Sequence, residues 1–292
     1  MIRRAAGDLR EVAVLLDRAV HLTFTRLTVM VTPFLVAAIV SNLMQWPLDF
    51  LSALIVVASV GAVIGNRAWV VVVASLQAGR RRPDWSAALR YWPALWYALV
   101  TPVWIVATYG ALLVAEYGAL VVAAAFVALV RRIPAPAIFG PLPLTAALAI
   151  LAVVSVVLLA LMLAGFAGSI ASIDTVLEGC APRRAVARWL REIFRPAMLS
   201  RSISAALVIL IVGGVAPLLC SYVFMWLPRP LIALVTAVPY ALANALSLAF
   251  VMERRAAVLA ERYGADIAAS LAGQTPISAS PTASSPGVTT SQ

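Results

Sequence analysis

Few residues of this chain could do chemistry, and they are scattered. Asp174 and Glu178 stand one helical turn apart, a spacing at which paired carboxylates can relay a proton or act as an acid and a base. Six arginines follow them, Arg183, Arg184, Arg188, Arg191, Arg195 and Arg201, so ion pairing with Arg183 or Arg184 is the simpler use of the pair. Arg67, next to Asn66, interrupts an apolar run. A charge at the centre of a bilayer costs about 2.5 to 3.5 kcal/mol on insertion scales, which leaves two readings. In one, Asn66 and Arg67 meet Tyr240 and Asn244 of the last span and attract an anionic substrate. In the other, the span slides to Pro47 through Asn66, and Arg67 snorkels to the interface with Ala68 to Ala78 protruding beyond it. Glu116 is a weaker candidate for proton coupling. His21 sits near Asp17 on the polar side of its segment and reads as solvated.

The single histidine and the two cysteines, Cys180 and Cys220, show no metal-ligand spacing. The two thiols should lie at different depths and stay free, as in a reducing compartment. No Ser/His/Asp set, Gly-rich phosphate loop or pair of intramembrane aspartates is present. The expectation is therefore no catalytic residue, no metal and no cofactor.

The elements that must carry these residues belong to a membrane. Of the 292 residues 63% are hydrophobic and 12% charged, far from the balance of a water-soluble domain, and the mean hydropathy is +1.00. A helix crosses a hydrocarbon core with roughly 20 apolar residues. Six stretches meet that requirement, at about 27–46, 52–76, 94–115, 142–169, 203–226 and 231–252. Pro33, Pro102, Pro217 and Pro239 fall in or near them, and kinks are expected there. The run Gly118 to Val130 is bounded by Glu116 and by Arg131 and Arg132. It is too short to span alone, so 116–143 reads as an extracytoplasmic loop with an embedded or interfacial helix. Gly61 with Gly65, Gly165 with Ser169 and Gly168 with Ser172 have the small-residue spacing of close helix packing.

Every one of the 22 basic residues is Arg, and the net charge is +10. Eighteen of these arginines flank spans on one side: before the first, and after the second, fourth and sixth. The positive-inside rule makes that side cytoplasmic and places both termini there. Topology accounts for the charge without a nucleic-acid partner. Residues 272–292 are rich in Ser, Thr, Pro and Ala and read as a disordered tail.

The three main basic segments look like amphipathic helices at about 100° per residue. The first sets Leu9, Val12, Ala13, Leu16 and Val20 against Arg10, Glu11, Asp17, Arg18 and His21. The second repeats Trp85, Ala88, Leu89 and Trp92. The third sets a stripe of Arg184, Arg188, Arg191 and Arg195 against Val186, Trp189, Leu190, Ile193 and Phe194. Leu76 to Gly79 and Trp92 to Leu95 echo Leu177 to Gly179 and Arg195 to Met198. The expected fold is all-α: a bundle of six transmembrane helices with three cytoplasmic-side interfacial helices in a pseudo-threefold repeat. Such helices lie among headgroups, and the Arg stripe would meet anionic lipid or a protein partner.

Leu15-Leu-Asp-Arg-Ala19 with Arg26 and Pro33, Thr175-Val-Leu-Glu-Gly179 with Ala185, Arg188, Trp189 and Phe194, and Val251-Met-Glu-Arg-Arg255 with Arg262, Gly264, Asp266 and Ile267 carry a resemblance. Over residues 8–267 the chain resembles bacterial polytopic proteins related to the glycerophosphodiester phosphodiesterase membrane domain. The resemblance implies a six-helix inner-membrane bundle, usually without assigned activity, that some members attach to a catalytic barrel. No barrel is present here, so the enzymatic activity is not expected. A scaffold or accessory factor in envelope or transport processes is the leading expectation. A small permease using Arg67 and Asn244 is the alternative, and a membrane-bound lipid-modifying enzyme comes third.

Overall fold

The computed structural model describes residues 2–45, 57–131, 144–215, 219, 223 and 226–263. Cys220, residues 132–143 and the 272–292 tail lie outside them. The described chain is helical, with no strand among those residues. We number the helices α1 (Ile2–Thr25), α2 (Leu27–Gln45), α3 (Ala62–Gln77, preceded by a π turn Val57–Gly61), α4 (Ala87–Arg90), α5 (Leu95–Arg131), α6 (Leu144–Leu177), α7 (Pro182–Ile193), α8 (Pro196–Leu210, followed by a π turn Ile211–Val215) and α9 (Arg229–Tyr263). Among the described residues four segments are long and apolar enough to cross a membrane: Leu27–Met44, Ser59–Gln77, Leu148–Leu177 and Leu234–Tyr263. A fifth joins them if α7 and α8, bent by 113° at their junction, count as one broken span.

Local sequence explains where helices start and stop. Pro182 and Pro196 open α7 and α8, positions where a missing N–H removes nothing. Gly79 and Gly179 follow the ends of α3 and α6 with φ of 62° and 65°, the left-handed conformation that closes a helix and that only glycine adopts without strain. After Gly79 the chain turns back, with Arg80 N–H donating to the Ser75 carbonyl at 3.0 Å. Pro33 and Pro239 sit inside continuous helices.

Several sequence expectations change here. Glu116 to Arg131 is not a loop: α5 runs unbroken for 37 residues through Glu116 and Gly118, because Ala, Val and Leu follow and no proline intervenes before Pro134. The second amphipathic segment is not a full helix. It is the single turn α4 and a 3₁₀ turn Trp92–Ala94, since Pro93 has no N–H to donate to the Leu89 carbonyl and its ring crowds that carbonyl. In α1 the buried stripe is Val12, Leu15, Ala19 and Thr23, while Ala13 and Val20 are exposed. The stripe is thus turned by about one residue, because α1 docks on α8 and α9 rather than on a flat surface. A Cβ at Gly65 or Gly168 would meet open space, so neither is a point of close helix approach. Gly213 is one, with Ser247 Oγ 3.0 Å from where its Cβ would stand.

Helices α5 and α6 pack along each other, as do α2 and α9, while α3 fits against α2, α5 and α6. The core is not centred on the spans. In α6 the buried residues run from Leu163 to Val176, and Leu148, Val153 and Val156 are exposed; in α9 they run from Thr236 to Leu259. The packed core therefore lies toward one end of the bundle, where α1, α4, α7 and the last turns of α3, α6 and α9 meet.

Candidate functional site

That end holds an interlocked cluster of charged residues. Asp174, on the last turns of α6, is fully buried. Its Oδ1 accepts from Arg255 Nε of α9 at 2.5 Å, and its Oδ2 accepts from Arg188 and from the Trp189 indole N–H, both of α7. Glu178, one turn on, accepts from Arg255 at 2.7 Å and from Arg188 at 3.1 Å. Two carboxylates thus meet two guanidinium groups and an indole. Arg255 is 2% exposed, so its charge depends wholly on these partners. Burial works against the Arg188 cation, but Asp174 and Glu178 outweigh it and raise its pKa above the ordinary arginine value.

A second set of contacts extends the cluster. Glu192 of α7, also buried, binds Arg262 of α9 and, at 3.1 Å, Arg195. Glu11 of α1 binds Arg254 of α9 at 2.5 Å and Arg201 of α8 at 3.3 Å. Tyr97, near the start of α5, shares a 2.9 Å hydrogen bond with Thr175. Helix α7 is therefore clamped on both sides: Arg188 holds it to α6 and Glu192 holds it to α9. Between these contacts Phe166, Ile170, Trp189, Met198 and Val258 line a small hollow. The Cys180 thiol lies beside the clamp, and burial, with Asp174 and Glu178 near, raises its pKa.

The pairing differs from the one expected. Asp174 and Glu178 take Arg188 and Arg255 rather than Arg183 or Arg184, because Arg183 and Arg184, on the first turn of α7, are exposed while position 188 faces α6. The expected stripe is divided accordingly. Arg184 and Arg191 are exposed, Arg195 pairs with Glu192, and Arg188 turns inward. In the sequence Arg254, Arg255 and Arg262 stand in the resemblance motif and Glu11 on a polar helix face, with nothing to mark them or Glu192 as partners in ion pairs. The available signal is the double arginine near the C-terminal end of the last apolar stretch, but spacing along the chain does not identify a partner 81 positions away.

Arg67 donates to the backbone carbonyls of Ala88 at 2.8 Å and Tyr91 at 3.3 Å, and to Asn66 Oδ1 at 2.9 Å. It bridges the break between α4 and the 3₁₀ turn, where the Tyr91 carbonyl also accepts from the Ala94 N–H at 3.3 Å. Asn244 is exposed and donates to the Tyr240 carbonyl on its own helix at 2.7 Å. Arg67 thus reaches the α4 segment, Asn66 binds Arg67 on their own helix, and the hydrogen bond of Asn244 stays within α9.

Among the described residues no group of three His, Cys, Asp or Glu side chains is placed to hold a metal ion. Compared with family models, curated proteins and solved structures, the chain has no match.

Proposed function

We propose that the chain is a six-span protein of the bacterial inner membrane, with both termini cytoplasmic, that serves as a non-catalytic scaffold or accessory factor in envelope or transport processes. One observation carries the reading. The charged groups that converge neutralise one another and fix α7 in place, while Arg183, Arg184 and Arg191 of that helix face outward. A clamped helix presenting guanidinium groups suits recognition of an acidic protein surface or anionic headgroups, since little ordering entropy is lost on binding. Six crossings follow if α5 and the α8 segment each complete a span. The cytoplasmic placement follows from the arginines gathered at the clamped end. The resemblance to the glycerophosphodiester phosphodiesterase membrane-domain family supports this architecture and not its enzymatic name.

The test is a photo-crosslinking residue at Phe194, which is exposed beside α7, compared in native membranes with and without Arg183→Gln, Arg184→Gln and Arg191→Gln. The triple variant should insert normally and lose the crosslinked species. An unchanged crosslinking pattern, to protein and to lipid alike, rejects the recognition role.

A further inference from the structure

The segment between α3 and α5 is built the reverse of a soluble surface turn. Its small residues are buried, Ala87 and Ala94 both fully, whereas its large apolar residues face outward: Trp85 is 49% exposed, Leu89 78% and Trp92 64%. The other two basic segments do not share this arrangement to the same degree. Helix α7 buries Trp189 and Ile193 against the protein, and α1 buries Val12 and Leu15 while exposing Val14, Val20 and Phe24.

Two contacts at successive levels fix the depth of the segment. Asp84 N–H donates to Ser75 Oγ at 2.8 Å, and Arg67, eight residues earlier on α3, holds the Ala88 and Tyr91 carbonyls. Eight helical residues correspond to about 12 Å of axial rise. The chain thus leaves the end of α3 and descends alongside it, toward the membrane-crossing part of the helix. Exposed Arg81 and Arg82 stand at the head of this descent, with Arg80 paired to Asp84 at 3.3 Å.

We propose that residues 80–92 form an interfacial anchor that seats Trp85, Leu89 and Trp92 at the headgroup–acyl boundary of an anionic leaflet, with Arg81 and Arg82 on lipid phosphates. Tryptophan is at home at that depth because its ring is apolar and its N–H reaches polar neighbours. Arginine above it meets the negative surface potential of the leaflet. The occupant is lipid rather than a second copy of the chain, since exposed guanidinium groups accompany the apolar patch, Arg81 and Arg82 at its head and Arg90 within it, and anionic headgroups complement them whereas a second copy would bring the same positive charge. The anchor is independent of the α7 surface, and either assignment can fail without the other.

The experiment uses the full chain in vesicles, with Cys180 and Cys220 replaced by Ser and an environment-sensitive NBD dye attached through Leu89→Cys. In vesicles containing phosphatidylglycerol the dye should emit to the blue, be quenched by doxyl-labelled lipid and be shielded from aqueous iodide. Arg81→Gln with Arg82→Gln should reduce the shielding in phosphatidylglycerol and leave it unchanged in phosphatidylcholine alone. Iodide quenching without doxyl quenching overturns the anchor. Shielding from both quenchers that is lost on diluting the protein among lipids overturns it in favour of self-association. Equal shielding in both lipids, insensitive to the Arg substitutions, overturns the anionic requirement. If the Leu89 variant fails to insert, the same readings from Trp92→Cys decide the matter.

Discussion

Asp174 accepts hydrogen bonds from three side chains on two helices, so its charge and its shape both matter. Asp174→Asn keeps the shape and removes the charge, leaving Arg255 and Arg188 with Glu178 alone. Breaking a buried pair from one side costs roughly 3 to 5 kcal/mol, and thermal unfolding in lipid nanodiscs should show a large fall in midpoint. Adding Arg255→Met should recover much of it, because the uncompensated buried cation is then gone. A double variant no more stable than Asp174→Asn alone would place the effect elsewhere. Cys180 reports on the same cluster. Burial and the two nearby carboxylates raise its pKa, so less thiolate forms at a given pH. Maleimide labelling of folded protein at pH 8 should be slower than that of unfolded protein, with the gap narrowing as pH rises; equal rates at pH 8 would contradict it.

At the scale of elements, the α4 segment depends on Arg67. Its guanidinium satisfies carbonyls that a continuous helix would have bonded internally. Arg67→Met removes the donor of the Ala88 carbonyl, at about 1 to 3 kcal/mol, leaves the Tyr91 carbonyl with the Ala94 N–H at 3.3 Å, and releases the segment from α3. Limited trypsin digestion of vesicles exposing the basic face should then cut within 80–90 faster than in the wild type while α7 stays resistant. Unchanged cleavage would mean that Asp84 and the buried alanines suffice. Gly79 and Gly179 both take positive φ to end a helix. Beyond them the segments diverge, because Pro182 opens a twelve-residue helix whereas Pro93 truncates its counterpart to a single turn.

At the scale of the molecule, helix length exceeds what a bilayer needs. Helices α6 and α9 have 34 and 35 residues, about 50 Å each against a hydrocarbon core of about 30 Å. The surplus lies at the end where Asp174, Arg254, Arg255 and Arg262 meet α1 and α7. Single cysteines at Gly7, Ser86, Arg184 and Arg262 should therefore label from the same side with a membrane-impermeant maleimide, and one at Arg131, at the far end of the 37-residue α5, from the opposite side. Labelling of Arg131 from the basic side would refute a crossing by α5.

What the sequence determines by itself is the solvent, and it gathers the arginines at one set of helix ends. An apolar content of 63% and the distribution of 22 arginines follow from transfer free energies and surface potential, which act on each segment separately. Helix ends at Gly79 and Gly179 and helix starts at Pro182 and Pro196 are local effects of the same kind, since φ preferences are local, although the apolar stretches alone stop at 76 and 169. The pairing of Asp174 with Arg255, the inward turn of Arg188, the hold of Arg67 on Ala88 and Tyr91, and the rotation of the α1 face were decided by tertiary structure. Each depends on which helix lies beside which. Many arginines at one end of a bundle are electrostatically equivalent until packing selects the one that is buried, and the geometry of that burial gives the selected cation its partner.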